Sequence, residues 1–233
     1  MNELKTHITN KNNGAEMQII GFYPFGPLID QSVIQKMDTL KEVVDVITSM
    51  KGDFKLKESK EKSKNRLVFS PSHMNAYIDQ KLTSQNWSSK SNNRIVADYN
   101  EADCFLGGYQ HRKIVAYREM DFIKNRVGLE IQMGKYAFMV YNISAKMTIF
   151  RKSGKIDMGV EVVVLQDMAK QMSTGVSFFE QCVWDLKTRG VADIDTPVIV
   201  FGIIHHTCID VNIQNIRMAE NNNNDDDDNE DDE

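Results

Sequence analysis

The clearest pattern in the chain is a strict alternation of apolar with polar or small residues in two short segments. Residues 127–133 alternate in this way, and residues 156–162 do so again. Successive side chains of a β-strand point to opposite faces, so both segments are predicted to be strands. Residues 198–204 are apolar without interruption, which is typical of a strand covered on both faces.

Helical spacing marks other segments. Between Ile29 and Met50, apolar residues recur at intervals of four, three, four and three, which predicts one amphipathic helix. Its apolar stripe would pack into the core or, alternatively, form the seam of a homodimer. Ser70 and Pro71 predict the start of another helix, because serine is a common N-cap and proline is favoured at the first helical position. Further helices are predicted over residues 136–146, 167–172 and 176–189.

Two regions carry no such periodicity. Residues 1–27 contain three glycines and two prolines, and residues 88–112 are polar and contain glycine. Both are predicted to be mostly irregular, apart from a short apolar piece at Met17–Tyr23. The predicted elements together indicate a mixed α/β chain with a central β-sheet flanked by α-helices.

The composition is that of an ordinary globular protein, with 41% hydrophobic and 26% charged residues among 233. No apolar run approaches the roughly 18 residues that a membrane span needs, and the N-terminus lacks the basic-then-apolar pattern of a secretory signal. Three scattered cysteines do not suggest a disulfide framework. These features predict a cytoplasmic protein that does not associate with membranes.

Charge divides the chain into two parts. Residues 221–233 hold eight acids and no base, so removing them changes the net charge from −5 to +3. We expect one domain over residues 1–220, followed by a disordered acidic tail. The tail would keep the protein soluble or, alternatively, compete with an anionic ligand for a basic cleft.

A basic segment lies in the first half of the chain. Residues 55–66 contain six lysines or arginines, diluted by two glutamates. A solvated surface is one interpretation. Contact with phosphates is the other, because lysine and arginine supply most of the sequence-independent affinity for nucleic acid.

Carboxylates near the first predicted strand suggest a metal site. Glu130 and Gln132 lie two residues apart on the strand and project to the same side, about 6.5–7 Å apart. Asp121 precedes Glu130 by nine residues, a distance that a hairpin can close. Two carboxylates, an amide and one backbone carbonyl, for which Ile131 is the candidate, are hard oxygen ligands of the kind that suits Mg²⁺. Two like charges held together also favour a bound cation.

These residues carry a resemblance to a known family. Asp121 followed by residues 127–138 resembles the active-site region of type II restriction endonucleases of the BamHI/BglII/BstYI group, within the PD-(D/E)xK nuclease superfamily, and is most similar to BstYI. The likeness continues in order through several other segments and covers roughly residues 50–204. These other segments are residues 57–62, 70–71, 155–161 and 172–180. The resemblance implies a restriction-endonuclease-like fold.

The resemblance also implies a chemistry, the Mg²⁺-dependent hydrolysis of phosphodiester bonds in double-stranded DNA. Asp121, Glu130 and the carbonyl of Ile131 would ligate the metal, which would activate a water and stabilise the leaving oxygen. Gln132 stands where most of the superfamily has lysine, as in the BglII and BstYI members. A neutral amide can orient the attacking water but cannot supply a positive charge. The group's fourth active-site residue cannot be assigned from the sequence.

Two segments are implied to contact the bases of DNA. In this group they are the residues after the catalytic strand, here Gly134 and Lys135, and a later loop with Ser173 and Thr174. Lys135 suits guanine in the major groove. Alternatively, Lys135 neutralises a phosphate, and the two hydroxyl residues only cap a helix. The group implies a palindromic site centred on GATC, and Arg217 is a further candidate contact.

Other clusters are interpreted as structural. Asp157 and Glu161 imitate a pair of catalytic carboxylates, but an outward-facing polar edge is the expected arrangement. His205, His206 and Cys208 suggest zinc only weakly, since further ligands at suitable spacing are missing. Met139, Met147 and the surroundings of Trp184 are expected in the core.

The sequence therefore predicts a homodimeric, Mg²⁺-dependent, site-specific DNA endonuclease, in which each subunit cuts one strand of a two-fold symmetric site. Candidate dimer seams are the helix at residues 29–50 and the helix after Lys135. The alternatives are a DNA-binding module without catalysis and a nicking nuclease of DNA repair on the same fold.

Overall fold

A computed structural model describes residues 1–51, 57–58, 67–98 and 115–209 of the chain. Most of the basic segment 55–66, the candidate Arg217 and the acidic tail lie outside the described residues. Within the described ranges, no helix is both long and apolar enough to cross a membrane.

The described residues form eight α-helices and ten β-strands. The helices are α1 (Asn2–Asn12), α2 (Ile29–Gln35), α3 (Met37–Thr48), α4 (Pro71–Ser84), α5 (Tyr136–Tyr141), α6 (Met147–Lys152), α7 (Gln166–Ala169) and α8 (Phe179–Arg189). The strands are β1 (Met17–Phe25), β2 (Lys57–Glu58), β3 (Leu67–Val68), β4 (Ser88–Ser89), β5 (Arg94–Asp98), β6 (Val115–Glu119), β7 (Phe122–Lys124), β8 (Val127–Gln132), β9 (Met158–Val164) and β10 (Val198–His205). A 3₁₀ turn spans Lys90–Asn92, and a π-helical turn spans Asn142–Lys146.

The main sheet has six strands in the order β1-β10-β9-β8-β7-β4. Its central strands β8, β9 and β10 run parallel to one another, and β1 and β7 join them in antiparallel orientation. Two smaller antiparallel pairs are β2–β3 and β5–β6. The predicted central mixed sheet is confirmed. Residues 198–204 of β10 are all buried, as their continuous apolar sequence predicts, and His205 at the end of the strand is buried as well.

Both faces of the sheet are covered by helices, which makes three layers. One face packs against α1, α3 and α4, whose buried side chains include Leu4, Leu40 and Ile78. The other face packs against α5, the π-helical turn, α6 and α8. On this second face, Gly128, Glu130 and Gln132 of β8 are buried rather than exposed. The polar side chains of β8 therefore lie beneath a helical layer.

The N-terminal region differs from the prediction of irregular structure. It contains helix α1 and the nine-residue strand β1, which pairs along its length with β10. Gly21 and Pro24 interrupt the apolar pattern of β1. Pairing with a buried neighbour outweighs this weak local propensity.

The predicted helix at residues 29–50 is two helices. Lys36 leaves the helical conformation, with φ −110° and ψ 13°, between α2 and α3. The side chain of Lys36 donates to the carbonyl of Asn125 at 2.9 Å and pairs with Asp157 at 3.0 Å. The predicted apolar stripe is nevertheless buried in the core, at Val33, Met37, Leu40, Val44 and Ile47.

Several element boundaries also differ from the predictions. Strand β5 lies in a region for which the sequence predicts mostly loop, and α8 begins at Phe179 rather than at residue 176. The helix after Lys135 continues through the π-helical turn to Lys152, and its buried stripe is Met139, Ile143, Met147 and Phe150. Phe138, an apolar residue of the same helix, is 59% exposed.

Candidate active site

A β-hairpin brings the two predicted carboxylates together. Strands β7 and β8 are joined through Asn125 and Arg126, which both have positive φ, as a two-residue turn of type I′ requires. Phe122 pairs with Leu129, so Asp121 lies opposite Glu130. The hairpin predicted from the nine-residue spacing is confirmed.

Backbone hydrogen bonds fix the orientation of both carboxylates. The N–H of Asp121 donates to Oε1 of Glu130 at 3.3 Å, and the N–H of Ile131 donates to Oδ2 of Asp121 at 3.0 Å. Each carboxylate therefore has one oxygen held by the opposite strand. The remaining oxygens, Oδ1 of Asp121 and Oε2 of Glu130, are the ones available to a cation.

The surroundings of Glu130 disfavour its negative charge. Its side chain is only 3% exposed. The pKa of Glu130 is raised to about 7, chiefly by burial and next by the nearby charge of Asp121, whereas Lys146 opposes the shift. A cation between the two carboxylates would relieve both causes of the raised pKa.

Two lysines occupy the available oxygens. The ammonium group of Lys90, on the 3₁₀ turn, lies 3.1 Å from Oδ1 of Asp121. The ammonium group of Lys146, on the π-helical turn, lies 2.8 Å from Oε2 of Glu130. The Lys90 side chain is 59% exposed and the Lys146 side chain 13% exposed. The positive charge around the pair thus comes from elements outside β8.

A cavity of about 280 Å³ opens beside the carboxylates. It is lined by Asn75, Ala76, Asp79, Lys90, Asp121, Phe122 and Ile131. Helix α4 therefore forms one wall and the hairpin the other. The cavity gives a phosphate or water access to Asp121, whereas Glu130 lies behind it.

The donor set fits a hard cation. Two carboxylates alone do not complete a metal site, and no group of three or more His, Cys, Asp or Glu side chains among the described residues is arranged to hold a metal. Backbone carbonyl, water and substrate oxygens would complete the coordination, which is the arrangement that Mg²⁺ commonly has with proteins and phosphates. The same observation leaves zinc at His205, His206 and Cys208 without support.

Gln132 follows Glu130 on the same face of β8 and is 9% exposed. Its side-chain N–H donates to the carbonyl of Lys135 at 3.2 Å. The amide group is therefore held by the segment that follows the strand. This bond links the candidate catalytic amide to a candidate base-contacting segment.

The two candidate base-contacting segments lie side by side. Lys135 forms an isolated antiparallel bridge with Val176, and the backbone N–H and hydroxyl of Ser177 both donate to the carbonyl of Gly134, at 2.9 and 3.0 Å. Gly134, Lys135, Ser173 and Thr174 are exposed. The structure therefore brings the two segments together next to the end of β8, with all four predicted residues exposed.

The position of Glu161 shows that the sequence interpretation of this residue is wrong. The sequence suggests an outward-facing polar edge for Asp157 and Glu161, but Glu161 is fully buried on β9, paired with Glu130 in the adjacent strand. The π-helical turn covers this face, and Asn142 on that turn donates to Oε1 of Glu161 at 3.2 Å. Asp157, in contrast, is partly exposed and pairs with Arg126 and Lys36.

Lys90, Lys146 and Asn142 were also missed. A signal was available for two of them, because Asn142 and Lys146 interrupt an otherwise apolar helical stripe that includes Ile143 and Met147. Polar residues at such positions require buried partners. No comparable signal marks Lys90, which lies in a polar segment. The surroundings of Trp184 were expected in the core, but Trp184 is 65% exposed, whereas Met139 and Met147 are buried as expected.

The family of the chain follows from its comparison with known proteins. A family model described as restriction endonuclease BglII/BglIII matches residues 31–203, which is most of the chain and includes the whole hairpin. The chain belongs to the BglII/BglIII restriction endonuclease family. It is therefore a DNA-hydrolysing enzyme of type II restriction systems, and enzymes of this kind generally use divalent metal ions. The resemblance to the BglII group is confirmed, and the closer likeness to BstYI stays a prediction.

Solved structures agree with the family assignment at the level of the fold. The crystal structure of restriction endonuclease BglII complexed with a DNA 16-mer matches with a TM-score of 0.59 and 20% identity, over 79% of this chain and 78% of that chain. The structure of free BglII matches with a TM-score of 0.51 and 18% identity, over 81% and 79% of the two chains. The predicted restriction-endonuclease-like fold is confirmed. No curated protein matches the chain significantly.

Proposed function

We propose that this family member is a homodimeric, Mg²⁺-dependent endonuclease that cuts both strands of a short palindromic DNA site centred on GATC. The observation that carries the proposal is that Asp121 lies against Glu130, hydrogen-bonded to it through its backbone N–H, beside an accessible cavity. The base sequence of the site is inherited from the resemblance to the BamHI/BglII/BstYI group. We further propose that residues 1–220 form the catalytic domain, that residues 221–233 form a separate tail, and that the enzyme is cytoplasmic.

The proposed metal ligands are Oδ1 of Asp121, Oε2 of Glu130 and the backbone carbonyl of Ile131. When bound, Mg²⁺ would polarise a phosphate oxygen and lower the pKa of a coordinated water. Gln132 would orient the attacking water by a hydrogen bond. Lys90 lines the same cavity and, once released from Asp121, would bind the phosphate being cleaved.

The proposed DNA contacts are Gly134, Lys135, Ser173 and Thr174. Their exposure on one surface, beside the end of β8, supports the proposal that they reach the bases while a phosphate enters the cavity. A lysine can bind the acceptor groups of guanine in the major groove, and hydroxyl groups can donate or accept. The hydrogen bond between Gln132 and Lys135 would connect correct base contact to the position of the catalytic amide.

Homodimer formation is proposed from symmetry and from exposed apolar surface. A palindromic duplex presents two equivalent scissile bonds, and a two-fold dimer presents two equivalent sites. Helices α5 and α8 flank a largely apolar cavity of about 330 Å³, whose lining includes Val140 and Trp184. Exposed apolar groups of this kind, including Phe138, are common at protein interfaces. We propose α5 and α8 as the dimer seam.

Digestion of a supercoiled plasmid of known sequence tests the proposed function. Parallel reactions would contain Mg²⁺, Ca²⁺ or EDTA, and the fragment ends would be sequenced. We expect double-strand cleavage with Mg²⁺ at one palindromic sequence centred on GATC, and none with EDTA. Cleavage without a divalent ion would contradict the metal mechanism, and ends at unrelated sequences would contradict the proposed specificity.

A further inference from the structure

A π-helical turn lies directly over the buried side of the active-site strand. Helices α5 and α6 are continuous with each other through Asn142–Lys146, so the wide turn falls in the middle of one longer helix. π-helical turns are rare, and they occur frequently at functional sites. This one faces β8 and β9, so its side chains meet the buried polar residues of those strands.

The turn directs two polar side chains at two neighbouring carboxylates. Asn142 donates to Oε1 of Glu161 at 3.2 Å, and Lys146 pairs with Oε2 of Glu130 at 2.8 Å. Glu130 and Glu161 are partners in register on β8 and β9. Both carboxylates and Asn142 are buried, and the Lys146 side chain is mostly buried. The four residues form one polar cluster, which we call the β8–β9 carboxylate cluster, inside an otherwise apolar layer.

Lys146 contacts the oxygen of Glu130 that a metal ion would use. The other oxygen, Oε1, accepts the backbone N–H of Asp121. A divalent cation and the ammonium group of Lys146 therefore require the same carboxylate oxygen. Their like charges also repel at short range in a site that is shielded from water.

The two lysines differ in how easily each can move away from its carboxylate partner. Lys90 is on an exposed turn and lines the open cavity, so it can move to the solvent or to a phosphate. Lys146 is mostly enclosed, and its helix is tied to the sheet by the bond between Asn142 and Glu161. Lys146 therefore stays near Glu130 whether or not a metal is bound.

We propose that Lys146 is a resident counter-ion of the metal site. In the metal-free enzyme it holds Glu130 in its orientation toward Asp121, and it makes metal binding weaker by opposing the charge of the cation. Lys146 is thus a positioning residue that acts through Glu130. This inference rests on the proposed function, because it assumes that Asp121 and Glu130 hold a divalent ion.

Calorimetric titration of the full-length protein with Ca²⁺ tests the proposal, together with thermal unfolding in EDTA. Lys146→Met removes the charge while keeping the length of the side chain, Lys146→Arg keeps the charge, and Lys146→Gln is a second neutral variant. Lys41→Met is the control. Lys41 forms an ion pair with Glu3 at 2.7 Å, and neither residue belongs to the proposed site. The wild-type protein and Asp121→Asn provide the references for the metal site itself.

We expect Ca²⁺ to bind Lys146→Met about tenfold more tightly than wild type, as loss of a close like charge predicts. Lys146→Arg and Lys41→Met should bind as wild type does. In EDTA, the midpoint of thermal unfolding should be lower for Lys146→Met than for wild type. Adding Ca²⁺ should then raise the midpoint of this variant more than it raises the midpoint of wild type.

The opposite results are equally specific. Unchanged or weaker Ca²⁺ binding by a folded Lys146→Met or Lys146→Gln protein would overturn the counter-ion role while leaving the metal site intact. A wild-type protein that binds Ca²⁺ no better than Asp121→Asn would instead overturn the proposed metal site. If Lys146→Met does not fold, the Lys146→Gln titration decides between the same outcomes.

Discussion

Glu130 has an unusual position for a carboxylate, because it is buried and faces a second acid. Its pKa is raised to about 7, first by burial and then by Asp121. A metal ligand must be ionised, so at the proposed metal site protons would compete with the metal for this group near neutral pH. The buried charge of Glu130, which would favour a bound cation, therefore lowers the stability of the protein when no metal is bound.

This cost predicts how stability depends on pH in EDTA. The folded state binds more protons than the unfolded state between pH 4.5 and about 7, so the free energy of unfolding should fall as pH rises through this interval. The contribution of Glu130 is about 3 kcal/mol in total. Glu161, whose pKa burial also raises, acts in the same direction.

Urea unfolding of wild type and Glu130→Gln at several pH values between 4.5 and 8 measures this effect. The variant should lose part of the slope and become more stable than wild type above pH 7. An equal slope in the two proteins would show that Glu130 has an ordinary pKa in the folded state.

Lys135 permits a prediction that separates base recognition from phosphate contact. If Lys135 reads guanine, Lys135→Met should lower binding to the specific site by about 1–3 kcal/mol and leave non-specific binding nearly unchanged. If it only neutralises a phosphate, binding should weaken equally for all sequences, and the salt dependence should decrease. Fluorescence anisotropy with specific and scrambled duplexes in Ca²⁺ distinguishes the two.

At the scale of residues, the sequence predicted the pair and missed its surroundings. Strand alternation around Glu130 and the nine-residue spacing to Asp121 are local features, and they were sufficient to predict the hairpin. Lys90 and Lys146 reach the carboxylates from distant segments. The polar interruption at Lys146 indicates only that this side chain needs a buried partner. Which carboxylate each lysine meets depends on how a turn and a helix pack on the sheet, which no local pattern encodes.

At the scale of elements, two glycines allow close packing of α8 on strands β1 and β10. Gly21 of β1 and Gly202 of β10 lie side by side, and the ring of Phe179 lies against both. A Cβ atom added to Gly202 would lie 2.7 Å from the Phe179 ring and 2.9 Å from the Cα of Gly21. Glycine at this position lets the first residue of α8 approach the sheet.

Gly202→Ala should therefore destabilise the protein by about 1–3 kcal/mol, the usual cost of overpacking a core. Thermal unfolding would measure the change, with Gly154→Ala as a control at a glycine that has open space around it. The control carries the strain of a positive φ, so it should also lose stability, but without a steric clash. Calcium binding should stay unchanged in Gly202→Ala. A variant as stable as wild type would show that the sheet and α8 can separate at little cost.

The same elements show why the sequence prediction failed in part. Residues 198–204 are recognisable as a strand because they are apolar throughout. Its partner β1 contains Gly21 and Pro24, so the sequence does not identify it as a strand. The long amphipathic stripe correctly indicated buried helix, but it did not reveal the break at Lys36. Hydrophobic periodicity reports burial, and a change of direction at a single residue leaves that periodicity intact.

At the scale of the whole molecule, two surfaces compete as the dimer seam. One is the α5–α8 face with Trp184, and the other is the helical region at residues 29–50, where Ile34 is 66% exposed. The apolar stripe of residues 29–50 is buried in the core of the subunit and is not available to a partner, which favours the α5–α8 face as the dimer seam. Sequence alone offered both helices and no reason to choose between them.

Sedimentation of Trp184→Glu and Ile34→Glu decides between these seams. We expect wild type to be a dimer, Trp184→Glu to dissociate, and Ile34→Glu to remain a dimer, because a charge is costly only where it is buried. Trp184→Glu should also lose double-strand cleavage at low protein concentration. Dissociation of Ile34→Glu instead would move the seam to the α2–α3 region, and a monomeric wild type would contradict the homodimer.

The most direct test of the central claim compares DNA binding with DNA cleavage in Asp121→Asn and Glu130→Gln. Both variants keep the size of the side chain but remove its charge. We expect both to bind the specific duplex in Ca²⁺ buffer within a few-fold of wild type. Their cleavage rate with Mg²⁺ should fall about a thousandfold or more, because metal catalysis contributes several kcal/mol. Normal cleavage by either variant would contradict a divalent ion held between Asp121 and Glu130.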